Sequence, residues 1–396
     1  MRYDTMNYVL FDGKYRNSLL PFTYTRPVAD IRVGILTIRE KWEHYLKSST
    51  TTLTQDYLSH KYSIKETQDN ILINSSFLPN KVLVDLIMDL EENHAIIQDD
   101  SVIAFRTNCV RKEFNFKDYS IINFENDCIS IKNTWDIFTK NDLAIKSDFQ
   151  ILTKERESQL IPNTVNVISP ENIFIEKGAE LEFVTINASK GVIYLGKNSK
   201  IMEGSVIQGS FALCEGAHVK LATKIYGATT VGPHCRVGGE LSNSVLMGYS
   251  NKGHDGFLGN SVLGEWCNIG ADSNNSNLKN TYDEVKLWNY ESEDMEKTGL
   301  QFCGLMMGDH SKCGINTMFN TGTVVGVFAN IFGSGFMPKF IPSFSWGGAK
   351  DFTTYIKKKA LNTAKLVMDR RNIELTQNDI NILESIFEQT SKYRNF

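Results

Sequence analysis

Several things are missing from this chain, and each absence closes a class of reading. No segment of the 396 residues reaches about 18 uninterrupted apolar residues, and the start "MRYDTMNYVLFDGK" has no apolar stretch behind a basic flank. The expectation is a cytoplasmic protein with no membrane partner. No block of five or six like charges occurs, and Lys+Arg 42 against Asp+Glu 46 leaves a formal net charge of -4, which argues against a nucleic-acid groove. Lys357-Lys358-Lys359 reads as a solvated helix face. The seven cysteines are scattered, odd in number and without a CxxC pair, so neither a disulfide framework nor a zinc site is expected. They read as reduced small hydrophobes.

What is present is ordinary in bulk and unusual in pattern. With 41% hydrophobic and 22% charged residues, the chain has material for two globular domains. Residues 1–155 read as an α/β unit, with short apolar strands (Tyr8 to Phe11, Ile71 to Ile73, Ala95 to Ile97, Val102 to Phe105) alternating with helical patterns at Ile38, Trp42, Tyr45, Leu46 and at Val82 to Leu90. The polar stretch "QILTKERESQLIPNT" fits a linker.

Beyond it, Leu195, Ile201, Ile207, Leu213, Val219, Ile225, Val231 and Val237 recur every six positions. If roughly 35% of residues are aliphatic or similar, eight such hits in a chosen phase have a chance of about two in ten thousand. A period of six is neither helix nor strand; it marks a parallel β-helix in which three hexapeptides make one coil. Stacked coils about 4.8 Å apart bury a core that no single coil could close. After Val237 the series resumes two residues late, as Val245, Asn251, Phe257, Leu263 and Ile269, and a third series runs Met307, Cys313, Phe319, Val325, Ile331. The breaks, near 239–256 and 272–304, are expected to eject an extra residue or a loop. Residues 156–348 are thus assigned to the β-helix and 349–396 to a helical tail. In that tail Phe352, Tyr355, Ile356, Ala360, Ala364 and Val367 share one helix face, and Thr376 to Asp379 makes a capping pattern. The tail is expected to cover the open end of the solenoid.

One stretch carries a resemblance. "GHDGFLGNSVLGEWCNIGADSNNSNLK", residues 253–279, resembles the acetyltransferase domain of the bifunctional N-acetylglucosamine-1-phosphate uridylyltransferase/glucosamine-1-phosphate N-acetyltransferase family. There a loop His precedes an aromatic-Leu-Gly triplet, an Asn-Ile-Gly-Ala stretch and an Asn near acetyl-CoA. The matching residues are His254, Phe257-Leu258-Gly259, Asn268-Ile269-Gly270-Ala271 and Asn277. "GLMMGDHSKCGINTMFNTGTVVG" and "KFIPSFSWGG" are similar to a divergent bacterial branch. The resemblance implies a left-handed β-helix, a homotrimer with sites between subunits, and residues 280–304 reaching over a neighbouring prism.

The amino-terminal half is similar to the sugar-phosphate nucleotidyltransferase partner domain, a Rossmann-like α/β fold. "VLFDGKYRNSLLPFTYTRPVADIRVG" stands where the family has a Gly-x-Gly-Thr-Arg loop and a phosphate-steadying lysine. Gly13 and Arg16 match, Tyr15 replaces the second glycine, and Arg26 stands near the lysine's place. Nucleotide binding is assigned to Gly13, Arg16 and Arg26. "ILINSSFLPN" places Asn74 where the family's magnesium-binding carboxylate sits, which weakens the Mg2+ site; Asp136 is the substitute candidate.

Acetyl transfer to an amine needs a base, and a neutral imidazole such as His254 can take the proton. Asn268 and Phe257 are assigned to the sugar, Ala271 and Asn277 to acetyl-CoA. The expected function is acetylation of glucosamine 1-phosphate and uridylyl transfer from UTP, making UDP-N-acetylglucosamine. Two rivals stand beside it: a nucleotidyltransferase acting on another sugar phosphate with dTTP or UTP, and a non-catalytic hexapeptide scaffold.

Overall fold

The computed structural model describes residues 6–111 and 114–396, which divide into two compact units. One gathers the chain up to Leu19 with Thr25–Ile31 and Leu36–Asn133; the other holds Leu20–Tyr24, Arg32–Ile35 and Thr134–Phe396.

The first unit is built on a six-stranded sheet in the order Thr50–Leu53, Asn7–Phe11, Asn70–Asn74, Ser101–Thr107, His94–Gln98, Ser120–Asn123. Asn7–Phe11 runs parallel to both neighbours, whereas Ser101–Thr107 is antiparallel to each of its own. Asn70–Asn74 is buried at all five positions, as a central strand covered on both faces must be. Helix Ile38–Leu46 starts in a capping box, Thr37 accepting from the Glu40 amide while Glu40 accepts from the Thr37 amide. Its Trp42 is fully buried and donates Nε1–H to the Phe77 carbonyl at 3.0 Å. Asn80 caps helix Lys81–Met88 through the Leu83 amide. These elements leave the loop after Asn7–Phe11 at the carboxyl end of a parallel strand, where α/β sheets place ligand sites.

The second unit is a parallel β-solenoid, one of whose faces carries nine hydrogen-bonded strands. The eight residues of the six-residue series are all at most 2% exposed. They stack 18 residues apart in three columns: Leu195, Leu213 and Val231; Ile201, Val219 and Val237; Ile207 and Ile225. Each contributes about 1.5–3 kcal/mol of burial, so the period states where the core lies.

The register shift has a different cause from the one expected. Val231 pairs with Leu246 and Val237 with Lys252, so these coils have 15 residues instead of 18. Nothing is ejected; corners are shortened. A Cβ on Gly238 would lie 2.7 Å from the Gly253 carbonyl oxygen, and one on Gly239 2.8 Å from that of His254, so only glycine allows so tight a corner. The inward series continues as Leu241, Leu246, Lys252, Leu258, Leu263 and Ile269, all buried. Val245, Asn251 and Phe257 are therefore one residue out of phase, and Asn251 and Phe257 are only half-buried.

The second break does leave the prism. It forms a hairpin, Lys286–Asn289 with Asp294–Lys297, that folds back on its own chain: Trp288 stacks on Phe340 at 4.2 Å and Tyr290 meets Tyr393 at 5.5 Å.

The tail also departs from the helical reading at its start. Phe352–Thr354 is a strand antiparallel to Ser345–Gly347, because the last coil offers an unpaired edge that outweighs the helical spacing of Phe352, Tyr355 and Ile356. Helix begins only at Lys357 and runs to Asp369; a second, Gln377–Gln389, starts at the Thr376/Asp379 capping box. Phe387 of the second helix meets Phe344 edge-on at 5.0 Å.

One solenoid corner carries a column of rings. His234, Tyr249, Trp266, His310, Phe328 and Phe344 all have φ between 53° and 63°. A non-glycine residue in that region costs about 1–3 kcal/mol. Stacking offsets it: centroid distances along the column are 5.1, 4.3, 6.2, 4.6 and 5.2 Å, with interplanar angles of 26° or less. Among the described residues no helix is long and apolar enough to cross a membrane.

Candidate functional site

The shortened corner at Gly238-Gly239 leaves the next coil's corner, Gly253 to Gly256, standing proud of it. His254 sits there, exposed, and its ring has no hydrogen-bond partner among the described residues. It borders a cavity of about 650 Å³ that also takes in Asn268, Gly270 and Ala271. Asn268 reaches it because its backbone bridges in parallel to Asn251 one coil earlier and to Lys312 one coil later. Its side chain is exposed, so its amide faces outward from the prism.

The remaining walls are basic. Lys220 and Arg236 come from earlier coils, Arg370 and Arg371 from the end of the first tail helix, and no carboxylate lines the cavity among the described residues. Arg371 Nη2 lies 3.4 Å from the Asn251 Oδ1. Burial and the neighbouring Arg371 lower the pKa of Arg236. Burial also lowers that of His218, which Arg236 and Lys220 reinforce. Such mutual repulsion is costly unless an anion relieves it, and a guanidinium fork suits a phosphate. Tyr249 and Trp266 of the ring column give the cavity an aromatic wall.

Phe257 and Asn277 are not part of this cavity. They lie together on another face, where a Cβ on Gly259 would meet the Phe257 ring at 2.4 Å and the Asn277 Nδ2 at 2.8 Å. Asn277 Nδ2 donates to Asn260 Oδ1 at 2.8 Å.

Sequence reasoning missed the cations and Lys252. Arg236 precedes the inward Val237, which on a strand makes it outward; that signal was available. Arg370 and Arg371 carry no local signal, since only the course of the tail helix brings them here. Lys252 fills an inward position, 1% exposed, and burial pulls its pKa down to about 8.

In the first unit, a cavity of about 350 Å³ is lined by Asp12, Gly13, Lys14, Thr54 and Asp56. A Cβ on Gly13 would fall 2.6 Å from the Asn74 side chain, so the loop passes too close for any other residue. Arg16 is buried, 3.4 Å from Asp12 and donating to the Tyr57 hydroxyl at 2.8 Å. Arg26 is 4% exposed. Neither arginine borders the cavity.

The donors for magnesium do not fit. Asn74 uses both ends of its amide on backbone, Nδ2 to the Val102 carbonyl at 2.9 Å and Oδ1 from the Ser76 amide at 3.0 Å. Asp12 accepts from the Val28 amide at 2.7 Å, and burial raises its pKa against the opposing pull of Arg16. Asp136 belongs to the second unit and pairs with Lys140 at 3.2 Å. Among the described residues no three His, Cys, Asp or Glu side chains group as a metal site.

Residues 8–157 match the family model described as sugar nucleotidyl transferase. A bifunctional protein GlmU from Cyanothece sp. is 28% identical over 214 residues, covering 47% of this chain and 46% of that protein. A bifunctional sugar-1-phosphate nucleotidylyltransferase/acetyltransferase from Sulfurisphaera tokodaii is 22% identical over 240 residues, 55% of this chain and 58% of the other. The chain thus spans about half the length of the curated relatives it matches. Among solved structures, LpxA, a UDP-N-acetylglucosamine acyltransferase from Bacteroides fragilis, aligns over 58% of this chain and 91% of its own, at 14% identity and a TM-score of 0.29.

Proposed function

We propose that this chain, a divergent relative of the bifunctional GlmU proteins, transfers the acetyl group of acetyl-CoA to the amine of an amino-sugar 1-phosphate, with glucosamine 1-phosphate as substrate. Its nucleotidyltransferase-like part, residues 1–155, then uridylylates the product from UTP, giving UDP-N-acetylglucosamine. The acyltransferase part is the β-helix, 156–348, and residues 349–396 form the tail. The observation that carries the reading is the pairing of an uncommitted imidazole, His254, with four cations in one cavity that no carboxylate lines among the described residues. That combination suits a substrate with a phosphate at one end and an amine at the other.

In this reading the substrate phosphate lies among Lys220, Arg236, Arg370 and Arg371, and the amine points to His254. The amine nitrogen attacks the thioester carbonyl carbon. The carbon–sulfur bond breaks, His254 takes the amine proton and hands it to the departing sulfur, and coenzyme A leaves as the thiol. A base placed this way contributes about 10² to 10⁴ in rate. Asn268 holds sugar hydroxyls by its amide, and Ala271 lies on the thioester side. Phe257 and Asn277, on another face of the same prism, reach a substrate only at a cleft shared with a second copy, which is why we propose a homotrimer. Sedimentation as a monomer at micromolar concentration would contradict that.

For the first unit, the match of residues 8–157 and the cavity beside Gly13 support nucleotidyl transfer. They also favour the second reading, in which nucleotidyl transfer to another sugar 1-phosphate is the main activity.

The test is one incubation with glucosamine 1-phosphate, acetyl-CoA, UTP and magnesium, following free thiol and pyrophosphate separately, beside a His254→Ala variant. Thiol release that vanishes in the variant supports the proposal. Pyrophosphate alone favours the second reading, and neither product favours the scaffold.

A further inference from the structure

The inward column around Lys252 is Val219, Val237, Lys252, Ile269, Cys313, Ile331, one residue per coil. Every other member is aliphatic or a thiol. An ammonium taken from water into such a column is costly unless its three donors find acceptors. Here they do. Lys252 Nζ donates to the Gly238 carbonyl at 3.1 Å, to the Asp255 carbonyl at 3.2 Å and to the His254 carbonyl. The stem lies with its aliphatic neighbours while the head meets the corner, the way long cationic side chains divide apolar and polar surroundings.

The three acceptors belong to two corners. Gly238 is in the shortened one, and His254 and Asp255 are in the projecting one above it. A valine or isoleucine, as in the adjoining coils, would fill the column and leave the Gly238 and His254 carbonyls without this donor, whereas that of Asp255 also accepts from the Asp272 amide at 3.0 Å. The carbonyls, not the column, therefore account for the lysine.

We propose that Lys252 is a positioning residue for His254: its ammonium clamps the projecting corner to the corner beneath and fixes where the imidazole stands over the basic cavity. Asp255 and Asp272 are the carboxylates that favour its charged form, with Cys313 the thiol facing it along the column. The inference rests on the reading of His254 as the proton acceptor, and its test is chosen to separate the two.

The probe is protein labelled at histidine Cε1 with carbon-13, which gives one signal for each of the seven histidines. The His254 signal is assigned by its loss in His254→Gln. In Lys252→Met, a substitution of similar length without donors, the His254 signal is expected to narrow and move toward its unfolded position. Those of His234 and His310, held in the ring column, should stay. Acetyl-transfer kcat should fall about tenfold or more, while KM for glucosamine 1-phosphate stays within about twofold. Lys252→Gln, which can still donate to two carbonyls, should give a smaller movement of the same signal. If Lys252→Met does not fold, that second variant carries the test. A His254 signal unmoved in the folded variant overturns the clamp. A wild-type protein without acetyl transfer overturns the functional reading alone, because the ring signal reports the corner without turnover.

Discussion

The cavity beside His254 and the loop at Gly13 differ in what their polar side chains are doing. On the solenoid, His254 and Asn268 are exposed, and the cations share a wall that no carboxylate lines among the described residues. In the α/β unit, Asp12 is spent on the Val28 amide, and Asn74 on the backbone of Val102 and Ser76; Arg16 lies against Asp12 and Tyr57. Both regions resemble motifs of one family, yet Asp12, Asn74 and Arg16 are engaged within their own fold, whereas His254 and Asn268 stand exposed at a cavity. A motif residue already hydrogen-bonded by its own fold is doing structural service, and its identity alone says little about chemistry.

The largest effect that would sharpen this contrast is on the solenoid side. His254→Ala should lower acetyl transfer by about 10² to 10⁴, with any pyrophosphate release unchanged; loss of both activities together would break the division between the regions. Arg371→Gln should come next, raising KM for the sugar phosphate by about tenfold to a hundredfold, the worth of a hydrogen bond to a charged partner. Its kcat should hold, as measured by steady-state kinetics. On the other side, Asn74→Asp should not gain activity. The carboxylate cannot donate to the Val102 carbonyl, so the expected result is a destabilisation of about 1–3 kcal/mol by denaturant unfolding. Enhanced magnesium-dependent pyrophosphate release would contradict the assignment of Asn74 as structural.

The smallest effect is a pH dependence. The folded pKa of Lys252 is lowered to about 8 from the ordinary 10.5. Between those values the unfolded chain holds a proton there that the folded chain has released, so this residue's contribution to stability rises with pH across the window and is flat below about 8. Buried cysteines and tyrosines titrate in the opposite sense, so the quantity to follow is the unfolding free energy of the wild type minus that of Lys252→Met. A difference that falls between pH 8 and 10 would contradict the placement of the ammonium.

The eight-residue core series was legible because a coil of 18 residues repeats its inward positions without drift. Past Val237 the coil contracts to 15, and a fixed period then points at Asn251 and Phe257 when Lys252 and Leu258 are inside. Glycine pairs announce tight corners, but not how many residues a corner has lost. His254, Asn268 and Ala271 were readable as a group from their resemblance to a family motif, and all three border one cavity. Arg370 and Arg371 were not, because a helix 100 residues downstream in the chain delivers them. Phe352, Tyr355 and Ile356 have helical spacing, and the open sheet edge at Ser345–Gly347 overrides it for the first of them.

The most direct measurement is a crystal structure with glucosamine 1-phosphate bound. The account predicts the phosphate within hydrogen-bonding distance of Arg236 and Arg371, with the amine within about 3 Å of a His254 ring nitrogen. A sugar phosphate bound elsewhere, or bound with its amine turned away from that ring, would contradict it.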